Sequence, residues 1–274
     1  MTPPTSRRVP EIIFRNRALS QGRRTVAEES AIALSYGGST EAVMMATPAD
    51  LEDFAIGFSL SEGIIDTIGE VLGTEVLEAS GGIDLQISLK DNVDRALRVR
   101  RRAKAGPVGC GLCGVESIEE ALKPAADVSK VCVHFTAGDI SDAMQALSAN
   151  QPLNAETRAV HAAGFYIPGR GMIAVREDVG RHNALDKLIG HLARDGISGS
   201  QGAVIMTSRL SVELIQKTAK LGSGMLIGIS APTAMAIDMA TRAGMTLIAL
   251  ARGDDYEIFT GSDRITLGTD ADAA

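Results

Sequence analysis

Tryptophan is absent from this 274-residue chain, and Phe and Tyr together supply only 3% of it. Base stacking on aromatic faces is therefore disfavoured as the main activity, and the core must be built from Ala, Val, Ile, Leu and ten Met. An excess of positive charge is missing too. The formal net charge of −7 argues against a nucleic-acid polymer as partner, although a local basic patch can still hold phosphates. No apolar run is both long and unbroken: Met225–Leu250 is interrupted by Pro232, Asp238, Arg242 and Gly244 and reads as core rather than membrane span. Behind Arg7-Arg8 there is no apolar stretch of export-signal length, so the chain reads as cytoplasmic. Cysteine is scarce. Three residues, an odd number in a reducing compartment, do not suggest a disulfide framework and leave a metal site or a reactive thiol.

The 45% hydrophobic content supports a sizeable core. Residues 1–10 are expected to be disordered. Glu11–Phe14, Thr25–Ala33 and Glu41–Ala46 read as strands, with Gly37-Gly38 as the turn before the last. Thr47-Pro48 supplies an N-cap and first helical residue, and Leu51, Phe54, Ala55 and Phe58 recur at the spacing of one buried helix face. Val71–Ala79 and Ile83–Leu89 flank Gly81-Gly82 as a hairpin, the second strand alternating strictly through Ile83, Leu85, Ile87 and Leu89. Residues 1–124 thus form a β-rich N-terminal unit ending in a cysteine loop.

Beyond residue 125 the pattern becomes α/β. Val131–Phe135, Gly171–Arg176, Ala203–Thr207, Met225–Ile229, Thr246–Leu250 and Tyr256–Phe259 read as strands. Thr136–Ser148, Ala155–Ala163, Asn183–Arg194, Ser211–Leu221 and Pro232–Ala243 read as helices. Alternation of this kind implies a mostly parallel sheet covered by helices, whose ligands sit beyond the carboxyl ends of the strands. Two such junctions carry hydroxyls, Thr207-Ser208-Arg209-Leu210-Ser211 and Ser230-Ala231-Pro232-Thr233. Taken alone, each is better explained by ordinary helix capping. Arg176 to Lys187 is unusually dense in ionisable and amide side chains for a strand-to-helix turn, and Asp178 or His182 there could orient a ligand or a proton.

The chemistry is placed at Gly109-Cys110-Gly111-Leu112-Cys113-Gly114. Arg95, Arg98, Arg100, Arg101, Arg102 and Lys104 precede it, a run whose common alternative is a solvated helix face. A short helix, Val115–Leu122, follows. A thiol between a basic run and a helix N-terminus ionises readily. Structural zinc would need Cys132 and His134 as further ligands. A thiol–disulfide oxidoreductase expects the pair after an early strand of a small βαβ domain, and a zinc deaminase needs a glutamate where Ala163 stands beyond His161. Sulfur carriage needs only a low-pKa thiolate in an accessible loop, held as a persulfide.

The chain resembles the FdhD sulfurtransferases, accessory proteins of molybdenum- or tungsten-containing formate dehydrogenases. The resemblance rests on Met44-Met45-Ala46-Thr47-Pro48 with Phe54 to Ile65, on Cys110-Gly111-Leu112-Cys113-Gly114, on Glu177 to Lys187, and on Ser208-Arg209 through Ser230-Ala231-Pro232-Thr233. It implies an α/β, cytidine-deaminase-like layered sheet with helices on both faces, spanning 125–274 after the β-rich unit. It also implies a homodimer that takes sulfur from a cysteine desulfurase and delivers it to the molybdenum of a bis(molybdopterin guanine dinucleotide) cofactor, which is bound as substrate, with no permanent metal, in the service of a formate dehydrogenase catalytic subunit. Cys110 would carry the persulfide, with Cys113 assisting or resolving. The family's cofactor-binding loop aligns with Leu250, Ala251, Arg252, Gly253, Asp254 and Asp255, where the two aspartates depart from the usual pattern. Ser208, Arg209, Ser230 and Thr233 would add phosphate contacts. The competing reading is a non-catalytic cofactor-binding chaperone whose cysteines are structural.

Overall fold

A computed structural model describes residues 3–104 and 122–266. The cysteine loop with Cys110 and Cys113, all but the last residue of the Val115–Leu122 helix, and the tail from Thr269 lie outside the described residues.

Ser6–Arg15 (β1) and Ala18–Ala27 (β2) pair antiparallel around Asn16-Arg17, both left-handed at φ 53° and 62°. Ser6–Pro10 are therefore strand, contrary to the expectation of disorder, and the expected strand Thr25–Ala33 divides between β2 and Ser30–Tyr36 (β3). Neither departure shows in hydropathy, because the ribbon leaves Ile12, Phe14 and Leu19 exposed.

β3, Ser39–Ala46 (β4), Val71–Ala79 (β5) and Gly82–Leu89 (β6) form a sheet of order β4-β3-β6-β5. Ile32, Leu34, Tyr36, Ile83, Leu85 and Ile87 on its inner face pack on Phe54, Ala55 and Phe58 of helix α1 (Leu51–Ser61). Helix α2 (Asp91–Lys104) adds Val93 and Leu97 to that core. On α2 the basic run behaves as the solvated face of a helix at Arg98, which is exposed and pairs with Asp94 at 2.9 Å. Helix α1 begins three residues later than Thr47-Pro48 suggested, because its N-cap is Asp50, itself left-handed at φ 52°.

The second sheet has six strands in the order β13-β12-β11-β10-β8-β9. They are His161–Ile167 (β8), Gly171–Asp178 (β9), Ala203–Met206 (β10), Met225–Gly228 (β11), Thr246–Arg252 (β12) and Asp255–Thr260 (β13). Only the β10–β11 and β11–β12 pairings are parallel. β8, β9 and β13 run antiparallel to their neighbours, so the sheet is mixed rather than mostly parallel. The reason is local: β8–β9 and β12–β13 are joined by tight turns too short for a crossover helix. β8 also replaces the end of the expected Ala155–Ala163 helix, which closes at Thr157 (α4, Pro152–Thr157).

Helices cover both faces. Arg181–Arg194 (α5), Val212–Leu221 (α6) and Ala234–Ala243 (α7) pack Leu185, Leu188, Leu214 and Met239 against Phe165, Val204, Leu226 and Leu247. On the other face Ala137–Ala149 (α3) sets Ile140 and Leu147 against Ile205, Ile227 and Ile248. The expected strand at Val131–Phe135 shrinks to Phe135–Thr136 (β7), paired with Ile265–Thr266 (β14). The segment before it is held instead by buried Arg264, which donates to the carbonyls of Val128, Ser129, Val131 and Gly244 at 2.9–3.1 Å. Among the described residues no helix is long and apolar enough to cross a membrane.

Candidate functional site

Three parallel strands end at one edge of the six-stranded sheet, and the segments that follow them are tied to one another. Leu210 N–H donates to Ala231 O at 3.2 Å, Thr233 N–H donates to Leu210 O at 3.0 Å, and Leu250 N–H donates to Ser230 O at 3.4 Å. Gly228 makes the first approach possible, since a Cβ there would meet the Leu210 side chain at 2.7 Å. The structure thus brings Ser208, Arg209, Ser230, Thr233 and Leu250 onto one rim.

Their individual environments differ. Ser208 is buried and spends its hydroxyl on Arg209 O at 3.0 Å, while Arg209 is exposed. Thr233 is the N-cap of α7 and its hydroxyl accepts from Ala236 N–H, so ordinary capping describes it. Leu250 is the informative residue. It sits in the left-handed region at φ 53°, inside a register shift between Ala249 and Arg252. The bulge buries Ala251 and turns Arg252, Gly253, Asp254 and Asp255 outward as an exposed tip. A leucine held left-handed stores strain, and such strain concentrates where a chain segment is shaped for binding.

Farther along the same edge lie His161 at the start of β8 and the N-termini of α5 and α6. His182 Nε2 stands 2.7 Å from Glu213 Oε2 and links the two helices. The imidazole beside it, reinforced by Arg181 and Lys217, holds the Glu213 carboxyl below its ordinary range despite partial burial. His161 is driven the other way for a base: burial disfavours its charge, and the positive charges of Arg181 and His182 disfavour it further. Its proton should therefore be lost below its ordinary value of 6.5. Since folding favours the neutral ring, this contribution to stability is complete above that value and disappears as pH falls through the lower folded midpoint. A His161 ring titration followed by NMR is expected to give a midpoint below 6.5; a midpoint at or above it would remove the cationic neighbourhood. In the sequence His161 reads only as a metal ligand of a deaminase, and Arg181 and Glu213 carry no role of their own. The signal was the density of charge between Arg176 and Lys187.

That density has a second use. Asp178 is fully buried and saturated: it accepts from Lys187 Nζ at 2.6 Å, Thr47 N–H at 3.0 Å, Gly180 N–H at 2.8 Å and Asn183 Nδ2 at 3.0 Å. Lys187 also donates to Thr47 O at 2.8 Å. Asp178 therefore has no free lone pair for a ligand, and the Thr47-Pro48 and Glu177–Lys187 motifs meet through it. Asp186 and Lys217 make a further pair at 2.8 Å with Ser61 and Glu62, and Asp53 binds Arg176 and Arg194 at 2.8 and 2.7 Å. These three clusters fasten α1 to the second sheet's helices.

Cys132 and His134 lie outside any strand. Cys132 is exposed with its thiol directed at Lys130 O, and no group of three or more potential metal ligands occurs among the described residues.

The fold and rim define a mixed α/β protein with a strained, polar strand-end edge. The chain belongs to the FdhD/NarQ family, whose model matches residues 27–266. It is 58% identical over 261 residues to the sulfur carrier protein FdhD of Agrobacterium fabrum, covering 95% of this chain and 96% of that one. The corresponding protein of Brucella abortus is 51% identical over 260 residues, covering 95% and 97%. In three dimensions the chain matches, with a TM-score of 0.76 and 25% identity over 96% of its length and 100% of the other, the crystal structure of a protein assigned as a formate dehydrogenase accessory protein from Desulfotalea psychrophila.

Proposed function

We propose that this protein is a sulfurtransferase that serves a formate dehydrogenase, with Cys110 as the carrier. The supporting observation is the Cys110-x-x-Cys113 pair in a chain 58% identical to a protein named a sulfur carrier. The Cys110 thiolate attacks the outer sulfur of a cysteine desulfurase persulfide. One S–S bond forms on Cys110 as another breaks, and the desulfurase leaves as thiolate, without net redox change. For delivery, the Cys113 thiolate attacks Cys110 Sγ and the outer sulfur departs as sulfide. The sulfane sulfur is reduced while the two cysteines are oxidised to a disulfide. The recipient is the molybdenum of a bis(molybdopterin guanine dinucleotide) cofactor, held as substrate at the sheet edge by Arg209, Ser230, Thr233 and the Leu250–Asp255 stretch, with buried Ser208 fixing the Arg209 carbonyl through its hydroxyl. We place the protein in the cytoplasm, as a homodimer.

Intact-protein mass spectrometry after incubation with a cysteine desulfurase and free cysteine tests this reading. Wild type is expected to gain one sulfur mass, reversed by reductant, and Cys110→Ala to gain none. Cys132→Ala should behave as wild type. If wild type gains nothing, sulfur carriage is wrong and cofactor binding alone remains.

A further inference from the structure

The β1–β2 ribbon carries apolar surface into solvent: Ile12, Phe14 and Leu19 are 75, 70 and 72% exposed. Pairing sets Phe14 opposite Leu19, Ile12 opposite Gln21 and Pro10 opposite Arg23, so Pro10, Ile12, Phe14 and Leu19 share one face. The ribbon is tied to the body at its base, where Arg24 donates to Thr157 O at 3.2 Å. A two-stranded ribbon alone is marginally stable in water and needs a surface to pack on. It is also basic. Between residues 6 and 27 it holds six arginines against one glutamate, a formal +5 in a chain of −7, so the rest carries −12.

A complementary surface lies on the four-stranded sheet, on the face turned away from α1. Register sets Val43, Ala33, Asp84 and Leu77 in one row across it, and Met45 with Ala31 in the next. Small residues on the central strands make a shallow trough, banked on the β4 side by Val43 and Met45, which are 59 and 50% exposed. The four strands carry Glu41, Glu75, Glu78 and Asp84 and no lysine or arginine. Half-buried Asp84, in the middle of the trough, accepts from Gln86 at 2.9 Å through one carboxylate oxygen and leaves the other without a partner.

We propose that the ribbon is an arm that docks across the outer face of the four-stranded sheet of a second copy of this chain. Ile12, Phe14 and Leu19 cover Val43 and Met45, while exposed Arg8, Arg15, Arg17 and Arg23 meet the acidic sheet. Charge selects this occupant. The second copy offers four carboxylates without a base to an arm of +5, and such complementarity steers the approach and fixes the register. Each copy has one arm and one trough, so a two-fold axis uses both contacts at once and closes the pair. Length allows it: ten-residue strands reach roughly 34 Å at about 3.4 Å per residue, and four strands about 4.8 Å apart are narrower than that. The inference deepens the homodimer reading above and rests on it.

The test is sedimentation velocity of the full chain across the micromolar range. Phe14→Glu and Val43→Glu are each expected to weaken the dimer at least tenfold and Arg23→Glu several-fold, while Met235→Glu, at an exposed apolar position on α7, leaves it within twofold of wild type. All four positions are exposed, so the circular dichroism of each variant should match wild type. Benzoylphenylalanine at position 14, irradiated in a mixture of light and heavy-nitrogen chains, is expected to crosslink unlike chains through β4. Wild type that stays monomeric overturns the homodimer reading and the arm contact together. A dimer that Phe14→Glu and Val43→Glu both leave within twofold keeps the homodimer and overturns the arm contact. Weakening by Phe14→Glu alone places the arm on another surface, and crosslinks confined to like chains place it on its own sheet; either result also overturns the proposal.

Discussion

Lys187→Met is expected to destabilise the protein by about 3–5 kcal/mol, the cost of removing one partner of a fully buried ion pair. Lys187 Nζ and Asp178 are both inaccessible to solvent and 2.6 Å apart. Methionine matches the length of the lysine stem and keeps its packing near the Phe54 ring, which the ammonium approaches at 5.8 Å. What it removes is the positive charge, leaving a carboxylate held only by the N–H groups of Thr47, Gly180 and Asn183. The melting temperature should fall by roughly 6–20 °C, at about 2–4 °C per kcal/mol for a chain of this size class. Asp178→Asn combined with Lys187→Met removes both charges and should recover part of the loss, giving a coupling energy above about 1 kcal/mol in a double-mutant cycle by urea unfolding. A single-mutant cost under about 1 kcal/mol would mean that the pair does not hold the two motifs together.

This cluster shows what a sequence can and cannot reveal. Lys187 and Thr47 are 140 positions apart, and nothing local in either segment announces the other. The Arg176–Lys187 stretch reads as dense in charge, which suggests a ligand; part of that density instead satisfies itself, with Asp178 and Lys187 closing on each other. By contrast, Ile83, Leu85, Ile87 and Leu89 alternate strictly, and β6 follows at once because one sheet face packs on a helix. β8 was hidden. Ala162, Ala163 and Gly164 have little strand preference, and the strand exists because it is walled in by β9 and β10. At the rim, the hydroxyl-bearing junctions were legible as strand ends, but the Leu250 bulge is a property of backbone path and neighbours. The Cys110 and Cys113 motif is legible in sequence alone, and its placement lies outside the described residues.

Gly190→Ala is expected to be among the most disruptive single methyl additions in the molecule, because it prises α1 from α5. Neither Gly57 nor Gly190 is left-handed, so conformational freedom does not explain them. A Cβ on Gly57 would collide with the backbone carbonyl of Asp186, and a Cβ on Gly190 with that of Asp53. Each glycine thus receives the backbone of the opposite helix, and α1 is consequently buried over most of its circumference, including Asp53, Ile56 and Gly57, rather than on the single face that its periodicity suggested. An added methyl cannot be absorbed by a rotamer change, since the obstacle is main chain. The helices must separate, and separation lengthens the bonds of Asp53 to Arg176 and Arg194 and of Lys217 to Glu62 and Ser61 together. Overpacking alone costs about 1–3 kcal/mol, and loosening those clusters adds to it, so urea unfolding should show a loss above about 3 kcal/mol. Gly73→Ala is the control: its added Cβ meets nothing within 4 Å and its φ is not left-handed, so stability should stay within about 0.5 kcal/mol of wild type. Equal small effects at Gly190 and Gly73 would show that the close helix approach contributes nothing, and that the three charge clusters alone join α1 to the second sheet's helices.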